Sequence, residues 1–298
     1  MDPATDRAAG GSGTDTTRTT RTALATLLTC PRHEVAPTPG VLEEPATLTA
    51  DLPVGATVAV TASPSRGVAA TVALAEDLAA RGFAAVPHLA ARGLRDRGEL
   101  AEHLDRLAAA GVRDVFVVGG DAREPAGGFA DGLALLRAIE DLGRRPARVG
   151  VPSYPDGHHR VATDVLWADL AAKRAHADYT VTQLCFDADA VCGFVAEARR
   201  RGIDLPVVAG IPGVVDAARL LRISVRLGVA DSVRFARSHR STAGALMRPG
   251  RHRPDDLVGA LAAHVAAGRC DLERLHVYTF NQIEPTVRWL SEARRAAA

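Results

Sequence analysis

The sequence predicts a (β/α)8 barrel, a TIM barrel built as a single α/β domain. Three observations carry this. Short runs of strand-favouring residues alternate with Ala/Leu/Arg-rich helical runs eight times, which implies parallel strands covered by helices. Eight repeats in 298 residues match the size of such a barrel. No Gly-x-Gly-x-x-Gly follows a strand and no Walker motif is present, which weighs against the competing doubly wound sheet.

The elements follow in order. RHEVAP (32–37) is the first strand, and TVAVTA (57–62) the second, ahead of a helix over 68–81. AAVPHL (84–89) precedes a helix over 97–110, and DVFVVGG (114–120) a helix over 129–142. ARVGVPS (147–153) precedes a helix over 162–176. YTVTQLCF (179–186) has the β-branched and aromatic content of a strand and leads into a helix over 188–201. LPVVAGI (205–211) precedes a helix over 215–227, and LHVYTF (275–280) a helix over 284–297. Ahead of all this, residues 1–24 are rich in Thr, Gly, Asp and Arg and lack an apolar run. They read as a disordered tail and not as a signal peptide, with the barrel over 25–298.

Composition narrows the function. The chain is 47% hydrophobic and 24% charged, ordinary for a globular protein, and its formal net charge of +1 gives no field for nucleic acid. No apolar run is long enough to span a membrane. Cys30, Cys185, Cys192 and Cys270 show no Cys-x-x-Cys spacing and read as free thiols in a reducing, cytoplasmic compartment. The oligomeric state is left open, a homo-oligomer included.

In a barrel, chemistry sits at the C-terminal ends of the strands. The polar residues there include Glu34, Thr61, His88, Asp121, Ser153, Tyr154, Gln183 and Gln282. Glu34 reads as a general acid or base whose pKa burial would raise; the alternative is a carboxylate neutralised by a neighbouring Arg. Asp121 follows Gly119–Gly120, where backbone can approach a flat ligand, or else it caps a turn. His88 is a ligand contact or a hydrogen-bonded structural histidine. His158 and His159 lack a third metal ligand at recognisable spacing. Lys173, the only lysine, is a binding group or a solvated one. RFARSHR (234–240) is a clamp for an anionic tail or a solvated loop. Gln183 is a polar amide at a strand end, costly if buried without a partner, and so it points to a ligand.

Several segments together resemble the methylenetetrahydrofolate reductase family, and the chain is identified as a divergent bacterial member. VTQLCFD resembles the family's strand-6 signature, and RHEVAP its first strand, with Glu34 at the catalytic glutamate. VPHLA, VVGGD, YPDGH, GIDLPVVAGIPGV and LHVYTFNQIE match further segments in order, from about residue 32 to 290. The resemblance implies a barrel that binds FAD, takes hydride from NAD(P)H and reduces 5,10-methylenetetrahydrofolate to 5-methyltetrahydrofolate, a step of methionine biosynthesis. It implies Glu34 as the proton donor, and Asp121 and Gln183 as readers of the pterin edge, with Asp121 also tuning the flavin. Thr61, His88, Gly120, Phe129, Tyr154, His158 and Lys173 would contact the cofactor.

The sequence departs from the family at several of these places. An Arg expected before the strand-4 Gly-Asp is absent, Phe129 stands for a Tyr, Arg219 for a substrate-contacting Gln, and Gln282 for an Arg expected at the folate tail. These losses leave FAD retention open, with direct hydride transfer from NAD(P)H as the alternative. Two other readings compete: a folate-dependent methyl or methylene transferase, and a folate-binding protein without turnover. No regulatory domain is expected after the last helix.

Overall fold

Eight parallel strands close on one another in the computed structural model, which describes residues 11–63, 65–216, 219 and 251–298. Before the first strand lies α1 (Gly11–Thr29). The first barrel strand is β1 (Arg32–Val35), followed by the short helices α2 (Pro39–Glu43) and α3 (Pro45–Thr49). Then come β2 (Thr57–Val60), α4 (Gly67–Ala80), β3 (Ala84–Ala90), α5 (Arg97–Ala109), β4 (Asp114–Val118) and α6 (Gly132–Asp141). β5 (Arg148–Ser153), α7 (Thr163–Lys173), β6 (Tyr179–Thr182), α8 (Ala188–Arg200) and β7 (Val207–Pro212) continue the alternation. A small antiparallel pair, β8 (Val215–Asp216) with β9 (Arg251–His252), stands outside the barrel. α9 (Asp255–Ala266) leads to the last barrel strand, β10 (Arg274–Tyr278), which pairs with both β1 and β7, and α10 (Ile283–Ala297) follows.

The barrel expected from the alternation is therefore present, and the differences lie at its edges. Residues 11–24, expected within a disordered tail, belong to a helix. Its apolar face, Ala23, Leu27 and Leu28, is buried against α9 and α10. The Thr22, Thr26 and Thr29 hydroxyls donate back to carbonyls four residues earlier, so the polar composition does not break the helix. Arg294 donates to the carbonyls of Leu28 and Thr29 and closes the helix end. The helix expected over 215–227 begins instead as extended chain at Val215–Asp216; most of that span, and all of RFARSHR, lies outside the described residues. α9 occupies part of what reads in the sequence as a long connection. Its apolar face buries Val258, Leu261 and Ala262, and two aspartates sit in its first turn, where they favour the helix dipole.

Three helices after barrel strands start on an aspartate whose side chain accepts first-turn N–H groups: Asp96 for α5, Asp131 for α6 and Asp187 for α8. These caps set where each loop ends. The main core lies between strands and helices, and a smaller one fills the barrel interior with Ala59, Val86, Phe116, Tyr179, Val181 and Val208. Tyr179 crosses the interior toward β5, and any Cβ at Gly150 would strike its ring; only glycine fits there. Beneath this layer Arg32, 2% exposed, donates to Asp114 Oδ2 at 3.0 Å and to the Tyr179 hydroxyl, and lies 4.0 Å over the Tyr179 ring. Arg32 is thus spent on Asp114.

Candidate active site

The open end of the barrel holds a cavity of about 1060 Å³, walled by strand ends and the loops after them. Its chemistry begins with register. Glu34 on β1 pairs by Cα with Tyr278 on β10, and Arg32 with His276. Strand side chains repeat every second residue on one face, so Arg32 and Glu34 share a side, as do His276 and Tyr278.

Glu34 Oε2 lies 3.0 Å from His276 Nε2 and 3.9 Å from His88 Nε2. Burial pushes the Glu34 carboxyl up to about 7. Burial lowers the two imidazoles, His88 to about 4 and His276 to about 3, with the Arg32 charge acting in the same direction on both. Around neutrality this gives two neutral histidines beside a carboxyl group poised between its two forms. No cation neutralises Glu34 among the described residues, since the neighbouring Arg32 is bound to Asp114. The Tyr278 hydroxyl donates to the Thr182 carbonyl at 3.1 Å, and burial raises its pKa well above the ordinary value.

Gln183 lies where β6 ends. Its backbone N–H donates to Ser153 O at 2.7 Å, and its side-chain oxygen accepts from the Leu184 N–H at 2.8 Å. The side-chain NH2 bonds none of the described residues and stands on the cavity wall, available to an acceptor on a ligand. Past β4, Gly120 has φ +91°, a conformation suited to glycine, and a Cβ there would press on Ala90 at 3.2 Å. Asp121 follows at the rim, 78% exposed and 3.4 Å from Arg160. The loop after β4 is held by Arg92, which donates to the carbonyls of Ala122, Arg123 and Ala130. Tyr154 stacks edge-on against His158, and burial pushes its hydroxyl up to about 12.

Of the residues singled out from sequence, Glu34, Thr61, His88, Gly120, Asp121, Tyr154, His158 and Gln183 all line this one cavity. Phe129, Lys173, Arg219 and Gln282 are not on its wall. Phe129 is in the hydrophobic core. Lys173 is 5% exposed and paired with Asp169, so it is not solvated. Arg219 is exposed and donates to Phe280 O at 3.0 Å. Gln282 begins α10, its carbonyl accepting from Thr286. His158 and His159 stack at 4.7 Å, and the described residues contain no group of metal-ligating side chains.

The sequence reading missed His276, Tyr278, Phe280, Phe116 and Arg92. A signal existed for the first two: His and Tyr alternate in LHVYTF, so they share a face, and that strand closes the barrel beside β1. Phe280 and Asn281 are non-glycine residues at φ 51° and 61°, on the turn after β10. Asn281 supports the turn by accepting from Ala36 N at 2.8 Å and donating to Ala36 O at 3.0 Å. Such strain marks functional sites when surrounding bonds hold it.

A parallel barrel with a carboxyl group raised toward neutrality in the cavity at its strand ends defines a class: a (β/α)8 protein with its candidate site at the C-terminal ends of the strands. The chain belongs to the methylenetetrahydrofolate reductase family, whose model, described as Methylenetetrahydrofolate reductase, matches residues 19–233. It is 27% identical over 202 residues to methylenetetrahydrofolate reductase (NADH) 1 of Arabidopsis thaliana, across 60% of this chain and 33% of that protein. It is 28% identical over 138 residues to a probable methylenetetrahydrofolate reductase (NADPH) of Caenorhabditis elegans, across 43% of this chain and 20% of that protein. Methylenetetrahydrofolate reductase 2 of Saccharomyces cerevisiae is 25% identical over 130 residues, across 40% and 22%. The chain thus spans a third or less of the length of these relatives. Among the described residues no helix is long and apolar enough to cross a membrane.

Proposed function

We propose that this protein reduces 5,10-methylenetetrahydrofolate to 5-methyltetrahydrofolate with NAD(P)H, and that Glu34 is the general acid. The observation that carries this is the Glu34 carboxyl on the cavity wall, 3.0 Å from His276 and 3.9 Å from His88, raised to about 7 by burial, with no cation among the described residues to hold it ionised. Opening the five-membered ring of the substrate breaks a C–N bond, and the departing amine needs a proton. A donor with a pKa near the working pH supplies it efficiently. Gln183 offers its amide NH2 to an acceptor on the pterin edge, and Asp121 offers carboxylate oxygens to donors there. The apolar side of the cavity, with Phe116, Val118 and Phe280, suits a flat heterocycle and excludes water from the proton transfer.

The cavity fits a flavin at its ring end. Gly120 presents bare backbone, and Thr61, His88, Tyr154 and His158 are the residues that would hold FAD. When bound, FAD would supply a hydride relay between NAD(P)H and the folate. The phosphate end is less complete: Lys173 is turned to Asp169, and Arg92 is committed to three carbonyls, which leaves Arg123 and Arg160 on the wall. That observation favours a second reading, in which FAD binds weakly or not at all and hydride passes directly from NAD(P)H to the folate. The test is NAD(P)H oxidation with methylenetetrahydrofolate, with and without added FAD. Folate-dependent oxidation supports the reading, and its dependence on FAD separates the two versions. Folate binding without oxidation would point to the transferase or binding alternative.

A further inference from the structure

Glu34 has a partner that this mechanism leaves unused. His276 Nε2 stands 3.0 Å from Glu34 Oε2, while Glu34 Oε1 bonds none of the described residues. We propose that His276 is a positioning residue: its neutral Nε2–H donates to Glu34 Oε2, fixes that oxygen as the acceptor, and leaves the acid proton on Oε1 for the departing amine. This rests on Glu34 being the proton donor.

The tautomer follows from satisfaction of polar atoms. His276 Nδ1 is buried and has no partner. A proton on Nδ1 would be an orphaned donor, whereas on Nε2 it meets a carboxyl oxygen in both states of Glu34, acid and carboxylate. The ring is held in place: it is 3% exposed and lies edge-on to Tyr278 at 4.9 Å. It is also held neutral. Burial disfavours a positive charge on it, Arg32, its Cα partner across β1 and β10, opposes one as well, and Asp114 and the Tyr179 hydroxyl hold Arg32 beneath it. The other charged or titratable groups around the pair are His33 on β1, His88 on β3 and Tyr278 on β10, with Arg148 on β5 below and Tyr154 after β5. In the transfer, the Oε1–H bond breaks toward oxygen and the amine nitrogen takes the proton on its lone pair. The carboxylate that remains already faces the Nε2–H, so its new charge is met without rearrangement.

The test titrates the Glu34 carboxyl by infrared difference spectroscopy, with Glu34→Gln as the blank, in wild type, His276→Leu and His276→Gln. Losing the donor should raise the midpoint by about one pH unit, the size of one hydrogen bond to a charged group. The Gln amide reaches Oε2 and should return the midpoint toward wild type. In parallel, kcat of His276→Leu should fall about tenfold while KM for the folate changes by less than about twofold. Should His276→Leu not fold, His276→Asn, whose amide stops short of Oε2, takes its place with the same expected rise. An identical midpoint in all variants, or a Gln variant that titrates like the Leu variant, would overturn the proposal. Because the infrared readout needs no turnover, failure of the pairing shows as an unmoved midpoint. Failure of folate reduction shows as a silent assay with the midpoint still moved.

Discussion

A carboxyl group inside a barrel avoids an unpaired charge either by taking a cation or by keeping its proton. Asp114 takes the first course, with Arg32 at 3.0 Å, and Glu34 the second, with the neutral imidazoles of His276 and His88 beside it. The two acids therefore predict opposite phenotypes. Glu34→Gln keeps the shape and the hydrogen-bonding partners, so thermal unfolding should barely change while turnover falls ~100- to 10,000-fold, the usual share of a general acid. Asp114→Ala leaves the buried Arg32 guanidinium without its anion, and unfolding should become easier by ~3–5 kcal/mol in a denaturant titration. Glu34 was legible in the sequence as a candidate because a glutamate among strand residues has few structural uses. His276 was not, because a histidine in an apolar run is as readily a core residue, and only its register against Glu34 gives it a role. Lys173 misled for a related reason: as the only lysine it drew a ligand role, yet it is satisfied by Asp169 one helical turn away. Lys173→Met should accordingly leave FAD affinity within about twofold in a binding titration, because the side chain is not on the cavity wall.

At the scale of elements, α1 shows what composition conceals. A segment dominated by Thr and Arg reads as disordered when judged by mean polarity, but three apolar residues on one face dock it against α9 and α10. Leu27→Ala should then destabilise the protein by ~2–4 kcal/mol in chemical denaturation, as for a buried leucine in a closed core. An exposed, frayed segment would give almost no change. The eight barrel strands were legible because alternation of apolar runs and helical runs survives any local ambiguity. Their ends were not: the 179–186 run is regular strand only to Thr182, and Gln183, whose N–H still donates to Ser153 O, lines the cavity. Strand ends are where backbone leaves the ladder to build a site, so local propensity carries least information there.

For the molecule as a whole, buried titratable groups tie stability to pH. His33, His88 and His276 are held at about 4, 4 and 3, below their ordinary value of 6.5, so the unfolded chain binds more protons than the folded one across that interval. Their contribution is complete above 6.5 and lost as pH falls toward 3. Glu34 works the other way: raised from 4.5 to about 7, it favours the folded state below 4.5, and that share is lost as pH rises through 7. Three groups outweigh one, so stability should fall on acidification from 6.5 to 4, measured as the denaturant midpoint at each pH. A flat profile there would contradict the burial of the histidines. Activity should follow Glu34 alone and decline as pH rises above about 7, as the acid loses its proton. The measurement that bears most directly on the central claim is folate-dependent NAD(P)H oxidation by wild type and Glu34→Gln, across pH 6–9 and with FAD present and absent. Turnover in wild type with an alkaline decline near pH 7, lowered ~100-fold or more in Glu34→Gln while folate binding persists, is the predicted result. Full activity in Glu34→Gln, or none in wild type under any of these conditions, would contradict it.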